Sequence, residues 1–157
     1  MHACRAVLPG MIKRHSGKII ALSGGGSLTP RPAFSAYAAS KTALVRFIET
    51  LAAEVVGHNV QANCLAPGGA YTAMTDEILS AGDRAGAKEV EDAQKVRVTG
   101  GVAPEKQIAL AVFLASERSN HITGKVVHVS DDWKKLANGK APTELYTLRR
   151  VTKAQPD

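Results

Sequence analysis

Two side chains in the stretch 35–41 have the types and the spacing needed for acid–base chemistry. Tyr37 carries a phenol and Lys41 carries an ammonium, four residues further along a segment predicted to be helical. On a helix this spacing places both groups on one face, one turn apart. A neighbouring positive charge favours an ionised phenol, so Lys41 would make the Tyr37 proton easier to transfer at neutral pH. Because a tyrosine and a lysine also meet at this spacing by chance, the pair needs support from its surroundings.

The first half of the chain predicts helices alternating with strands. Apolar residues recur every three or four positions over 2–15 and again over 35–56, as in helices with one buried side. A continuous apolar run at 18–23 predicts a strand buried on both faces, and 59–66 predicts the next strand. Glycine-rich turns follow both strands.

The second half continues this alternation. The segment 74–98 is polar and helix-prone with glycines at 82 and 86, and we expect a mobile lid there rather than part of the core. A helix over 104–116 and a short strand over 125–129 follow, and no long periodic segment comes after Asp132. The alternation predicts an α/β fold with a three-stranded parallel sheet, whose first strand would expose an edge unless a missing neighbour covered it.

Length and composition exclude several functional classes. At 157 residues the chain is predicted to form one domain over 1–133, followed by a basic, partly mobile tail over 134–157. The net charge is +6, but basic and acidic residues are interspersed, and six basic residues lie in the tail. We therefore expect no nucleic-acid partner.

The same survey predicts neither a membrane segment nor a metal site. No apolar run approaches the length of about 18 residues that a membrane helix requires, and no secretory leader opens the chain. The five histidines show no metal-ligand spacing. Cys4 and Cys64 are far apart in sequence and are expected to be reduced thiols in the core. The expected location is the cytoplasm.

Four landmarks surround the Tyr37–Lys41 pair in a characteristic order. They are GKIIALS (17–23), YAASK (37–41), NVQANCLAPGGAYT (59–72), and AVFLAS followed by ITGKVV (111–127). In this order and spacing, the chain from 1 to 129 resembles the C-terminal part of the short-chain dehydrogenase/reductase family, and most closely members similar to 3-oxoacyl-acyl-carrier-protein reductase. The resemblance implies a partial Rossmann-like, doubly wound parallel sheet.

The resemblance also implies roles for individual residues. Tyr37 would exchange a proton with the oxygen of a small carbonyl or alcohol substrate, and Lys41 would assist it and hold the ribose of NAD or NADP. The nicotinamide would lie along a turn where glycines allow a close backbone approach. The residues of that turn are Pro67, Gly68, Gly69, Ala70 and Thr72.

Two departures from the family pattern bear on activity. The family places a substrate-holding serine thirteen residues before the tyrosine, where this chain has Gly24. Ser23 and Ser27 are possible substitutes, although Ser23 would point to the opposite face of a strand. Loss of one such donor typically costs about 10²–10³ in rate.

The second departure is the missing dinucleotide fingerprint. The glycines at 24–26 do not lead directly into a helix, as a pyrophosphate-binding loop must. We therefore expect Met1 to be an internal methionine of a longer protein, with the chain an incomplete oxidoreductase. The alternative is an inactive fragment that serves as an oligomerisation module. The resemblance implies a homodimer or homotetramer formed through the helices at 2–15 and 35–56.

Overall fold

The computed structural model describes residues 1–137, 139, 147 and 148, and within them three parallel strands form one sheet. The strands are β1 (Gly17–Leu22), β2 (Val60–Ala66) and β3 (Val126–His128), in the order β1-β2-β3. Gly17 is opposite Val60, and Cys64 is opposite Val126. The predicted α/β class, the strand number and the parallel arrangement are confirmed.

Six helices are found in the described part of the chain, joined in places by short 3-10 turns. They are α1 (His2–Lys13), α2 (Ser35–Val55), α3 (Ala73–Ala81), α4 (Ala87–Thr99), α5 (Pro104–Ala115) and α6 (Trp133–Leu136). The short turns are Val56–His58, Gly82–Ala85 and Glu117–Ser119. The boundary predicted after residue 133 falls inside α6, and most of the predicted tail lies outside the described residues.

Side-chain alternation along β2 creates a core on each face of the sheet. Val60, Ala62 and Cys64 point to one face and pack in a buried cluster with residues of α2, while α1 covers the rim of that cluster. Leu65 points to the other face and packs with Leu110 and other residues of α5. Helices therefore cover both faces, as expected of a doubly wound sheet.

β1 is less buried than its continuous apolar sequence predicts. Ile19 and Ala21 contact the α2 side and Ile20 contacts the α5 side, yet all three remain only half-buried. Leu22 is 60% exposed. The prediction of a strand buried on both faces is wrong in degree, because within the described residues β1 pairs only with β2 and forms an edge of the sheet.

The segment 74–98 has a small core of its own, which the sequence analysis did not predict. α3 and α4 pack against each other around Ile78, Ala85 and Ala93, and Phe34 contacts this cluster. Gly82 and Gly86 have φ values of +55° and +87° and form the turn between the helices. Glycines that suggested an irregular excursion are therefore the residues that make this helical pair possible.

The single-turn helix α6 also escaped sequence analysis, because four residues are too few to show a helical period. The Trp133 ring stacks on Phe113, with centroids 5.0 Å apart, and Leu136 is buried in the α5 cluster. These contacts anchor the chain after β3.

Cys4 and Cys64 are both free thiols. Cys64 is completely buried, and this burial raises its pKa to about 11. It therefore behaves as a small apolar core residue at neutral pH.

Within the described residues, no helix is long and apolar enough to cross a membrane. The same residues contain no group of three or more His, Cys, Asp and Glu side chains that could hold a metal ion.

A buried asparagine joins β2 to the segment that leads into β3. Asn63 is 2% exposed, and its side-chain amide donates to the Ile122 carbonyl at 2.8 Å. Its carbonyl oxygen accepts from the Lys125 backbone N–H at 3.0 Å. Both backbone groups thus find partners without contact with water.

Replacement of Asn63 by alanine is expected to lower the free energy of unfolding by about 2–4 kcal/mol, because two buried backbone groups lose their partners. Chemical denaturation monitored by circular dichroism measures the change. Asn120→Ala, at an exposed position, is the control and should change stability by less than about 0.5 kcal/mol. Equal losses in both variants would contradict this account of Asn63.

Candidate active site

The carboxyl ends of the three strands meet at one edge of the sheet, as they must when all strands are parallel. The loops that follow them surround a cleft of ≈ 850 Å³. Residues of the 23–31 loop, the 66–72 turn, α3, α4 and the segment after β3 line this cleft. Edges of this kind bind ligands in open α/β sheets.

Tyr37 and Lys41 lie next to each other at this edge. Tyr37 is half-buried in the first turns of α2 and lines the cleft. The Lys41 ammonium lies 5.8 Å from the centre of the Tyr37 ring and donates to the Leu22 carbonyl at 3.0 Å. That bond anchors Lys41 to the end of β1, and Lys41 is not among the residues that line the cleft. The helical spacing thus brings the two side chains together as expected.

Gly24 lies directly against the Tyr37 hydroxyl. A Cβ atom added at Gly24 would overlap the Tyr37 Oη and would lie 3.6 Å from the Lys41 Cε. The position at which the family resemblance places a serine is therefore beside both groups. In this chain, position 24 supplies no hydroxyl, and the Tyr37 hydroxyl occupies the space that a side chain there would take.

The two possible substitutes for that serine pair with each other. The Ser23 hydroxyl donates to the Ser27 hydroxyl at 2.9 Å, and both residues are buried and line the cleft. The Ser27 carbonyl accepts from the Thr42 hydroxyl of α2 at 3.0 Å, which fixes the loop against the helix. Ser23 and Ser27 are thus close to the predicted position, while Gly24 occupies it.

The turn from Pro67 to Thr72 forms the opposite wall of the cleft. Gly68 has a φ of +73°, and a Cβ at that position would collide with Val102. The Gln107 side chain donates to the Pro67 carbonyl at 3.0 Å, and the Val102 backbone donates to the Gly69 carbonyl at 2.7 Å. All five residues predicted to lie along a nicotinamide therefore line the cleft, in a braced conformation.

Thr72 is the residue immediately before α3 and has extended backbone angles. Its backbone N–H donates to the Thr75 hydroxyl at 3.1 Å, which helps to fix the start of the helix. The Thr72 side chain is exposed in the cleft wall.

Five charged or titratable residues of the cleft were not identified from the sequence. Arg31 and Glu89 form a two-pronged ion pair, and Asp92 lies one turn further along α4. His128 and Asp131 line the cleft on the β3 side. The sequence offered only weak signals for them, because residues from four separate segments meet only after folding.

The described residues fit the nicotinamide end of a dinucleotide better than its pyrophosphate end. The 67–70 backbone presents small residues to the cleft, which permits close approach of a flat ring. By contrast, residues 27–34 separate the glycines at 24–26 from the start of α2, so this loop does not cradle a phosphate at a helix N-terminus. The loop at 67–72 does lead from β2 into α3 and contains Gly68 and Gly69, but it lacks the G-x-G-x-x-G spacing of a dinucleotide fingerprint.

Comparison with known proteins gives relatives of one kind. Dehydrogenase/reductase SDR family member 4 from Homo sapiens is 35% identical over 125 residues, which cover 80% of this chain and 44% of the relative. The 3-oxoacyl-[acyl-carrier-protein] reductase from Chlamydia trachomatis is 37% identical over 134 residues, covering 82% of this chain and 49% of the relative. The chain thus spans about half the length of the curated relatives it matches.

Solved structures agree with this relationship. A gluconate 5-dehydrogenase from Burkholderia cenocepacia, in complex with NADP and tartrate, has a TM-score of 0.66 and 28% identity. It matches over 80% of this chain and 48% of that structure. A 3-oxoacyl-[acyl-carrier protein] reductase from Brucella melitensis with bound NAD has a TM-score of 0.61 and 30% identity, over 81% of this chain and 44% of that structure.

A family model described as short chain dehydrogenase matches residues 1–82, the part that includes β1, the Tyr37–Lys41 pair and the 67–72 turn. Together with the parallel sheet and the relatives above, this match shows that the chain belongs to the short-chain dehydrogenase family.

Proposed function

We propose that this chain carries the catalytic portion of an NAD(P)-dependent oxidoreductase that interconverts a small carbonyl compound and its alcohol. The observation that carries the proposal is the position of the Tyr37 phenol, which lines the cleft beside Gly24 with the Lys41 ammonium 5.8 Å from the centre of its ring. In reduction, Tyr37 donates its proton to the carbonyl oxygen. In oxidation, it removes the proton of the alcohol.

Lys41 is proposed to assist Tyr37 through its positive charge. Its bond to the Leu22 carbonyl holds the ammonium at the end of β1, so that the charge stays close to the phenol. A fixed charge of this kind stabilises a developing phenolate without reorganisation during the reaction. Lys41 would also hold the ribose of the cofactor.

The proposed cofactor is NAD or NADP, which supplies or accepts the hydride when bound. Pro67, Gly68, Gly69, Ala70 and Thr72 would position its nicotinamide along the braced wall of the cleft. Related structures contain NAD in one case and NADP in another, so the relatives do not favour either cofactor. Because the chain matches about half of its relatives, we propose that the active enzyme includes a further segment with the pyrophosphate site.

Replacement of Tyr37 by phenylalanine tests the proposal, because it removes only the hydroxyl that transfers the proton. In the natural gene product, carbonyl reduction followed by NAD(P)H absorbance should fall by about 10²–10⁴-fold. Cofactor affinity, measured by titration of NADH and NADPH fluorescence, should change little.

Tyr71→Phe is the matched control, since Tyr71 is exposed, bonds to Asp76 at 2.8 Å and does not line the cleft. It should retain normal turnover. Persistent turnover in Tyr37→Phe would show that another group transfers the proton.

The same fluorescence titration on the 157-residue chain is expected to show weak binding of NADH and NADPH. Tight binding would refute the assignment of the pyrophosphate site to a further segment.

Gly24→Ser tests whether a substrate-holding donor is missing. A Cβ at position 24 would overlap the Tyr37 hydroxyl, so any side chain there must displace the proposed proton donor, and the serine variant is compared with an alanine variant that causes the same displacement. If the serine hydroxyl holds the substrate oxygen, Gly24→Ser should turn over about tenfold or more faster than Gly24→Ala, within the typical value of one such donor.

Gly24→Ala is the control for Gly24→Ser, because it introduces the same Cβ without a hydroxyl and should not raise turnover. If serine and alanine have equal effects on steady-state rates, position 24 does not act as a donor site.

A second candidate function is association between copies of the chain, with or without chemistry. An apolar groove of ≈ 380 Å³ lies between α1 and α2, lined by residues that include Cys4, Leu8, Phe47 and Leu51. We propose that these helices form a homodimer or homotetramer interface.

Cytoplasmic location and the lack of a nucleic-acid partner both remain predictions from the sequence.

Val7→Lys tests this interface, because Val7 lies on α1 and is 45% exposed. In a two-fold interface each substitution occurs twice, so the dimer dissociation constant should rise about tenfold or more, equivalent to roughly 1.4 kcal/mol. Analytical ultracentrifugation measures it. Val98→Lys, at a valine that is 86% exposed on α4, is the control and should leave association unchanged. A parent chain that is monomeric at high concentration would exclude the proposal.

A further inference from the structure

Arg31 is the only charged residue of the 23–34 loop, and it lines the cleft. Its Nε and Nη2 atoms donate to the two carboxylate oxygens of Glu89 at 2.8 and 2.6 Å. The two side chains are only 17% and 19% exposed. A two-pronged pair of this kind fixes the plane of the guanidinium as well as its position. The loop after β1 is thereby tied to α4.

The fixed guanidinium lies over two aromatic rings. Its central carbon is 4.2 Å from the centre of the Phe34 ring and 5.2 Å from the centre of the Tyr37 ring. The two rings contact each other edge to face, with centroids 6.5 Å apart and an interplanar angle of 83°. Such stacking is favourable when the cation is partly desolvated. Arg31 therefore contacts both the proposed acid–base residue and Phe34, the residue immediately before α2.

The electrostatic surroundings keep Arg31 in this place. The pKa of Arg31 is raised, first by its hydrogen bonds to Glu89 and to a smaller extent by Tyr37, so the side chain is always charged. Of the other acids that line the cleft, Asp92 forms an ion pair with Lys88 at 2.6 Å, and Asp131 accepts from the His128 backbone at 2.7 Å. Both have partners of their own, which leaves Glu89 as the carboxylate that holds the arginine.

We propose that Arg31 is a positioning residue for Tyr37. Clamped by Glu89, its guanidinium plane fixes the Phe34–Tyr37 ring pair and couples the orientation of the phenol to the α3–α4 unit. A substrate that displaces α4 would thereby change the position of the phenol at the same moment. The catalytic consequence rests on the proposed function of Tyr37, whereas the physical coupling does not.

The coupling can be measured without turnover. Incorporation of 3-fluorotyrosine into the 157-residue chain labels its three tyrosines, and Tyr37→Phe identifies the Tyr37 signal in the fluorine NMR spectrum. In Arg31→Gln, this signal should shift by more than its linewidth and broaden, because the ring loses its fixed neighbour. Arg84→Gln, which removes an exposed arginine of the turn between α3 and α4, should leave the signal unchanged. An unchanged Tyr37 signal in a folded Arg31→Gln chain would overturn the proposal.

Two further variants separate positioning from general stabilisation. Arg31→Lys keeps the positive charge but loses the planar guanidinium. It should also shift the Tyr37 signal, and it replaces Arg31→Gln in this test if the glutamine variant does not fold. The exchanged pair Arg31→Glu with Glu89→Arg restores an ion pair between the loop and α4 and should recover the thermal midpoint lost in Arg31→Gln. Its Tyr37 signal should remain shifted, because a carboxylate at position 31 cannot stack on the rings. Recovery of the signal in the exchanged pair would show that loop closure alone positions Tyr37.

In the natural gene product, Arg31→Gln should lower kcat by roughly tenfold to a hundredfold and leave the cofactor KM unchanged, as expected for a misplaced acid–base group. A shifted fluorine signal without loss of kcat would confirm the physical coupling and refute its catalytic consequence, while Tyr37→Phe tests the role of Tyr37 in proton transfer separately. A loss of kcat without any change in the signal would refute the coupling.

Discussion

The position of β2 at the centre of the described sheet is the constraint on which the remaining structure depends. Its side chains alternate between a cluster shared with α2 and a cluster shared with α5, and it pairs with β1 on one side and β3 on the other. Because the three strands are parallel, their carboxyl ends must meet at one edge. The loops that carry the candidate site residues converge there for this reason, although they are far apart in sequence.

Close packing at that edge defines the site. Gly24 lies against the Tyr37 hydroxyl, and Lys41 reaches across to the Leu22 carbonyl. A glycine at position 24 allows the phenol to occupy space that a side chain would otherwise fill. The absence of a hydroxyl at this point and the presence of an intact Tyr37–Lys41 pair are therefore two aspects of one arrangement.

The α3–α4 unit is more than a cover over the cleft. It has its own apolar cluster, and Glu89 connects it to the loop that precedes Tyr37. The unit is thus attached to the site at two places, through the contact of Phe34 with the cluster and through Arg31. Movement of these helices would reach the phenol through contacts that are already present.

The sequence by itself determined the fold class, the order of the three strands and of helices α1, α2 and α5, and the family. Those features depend on local periodicity and on spacing within single segments, such as the one helical turn between Tyr37 and Lys41. Patterns of this kind can be read directly from the linear sequence. The sequence also marked Gly24 as the place of a missing donor. It did not show that a Cβ there would meet the Tyr37 hydroxyl, and it did not identify the small core around Ile78 and Ala93.

The tertiary structure alone decided which distant residues share the cleft. Arg31 and Glu89 are 58 residues apart and pair only when the loop after β1 packs against α4. The same applies to the partial exposure of β1, because burial depends on which strands and helices cover it and not on its own apolar residues. Long-range contacts of this kind depend on packing between elements, which no local pattern encodes.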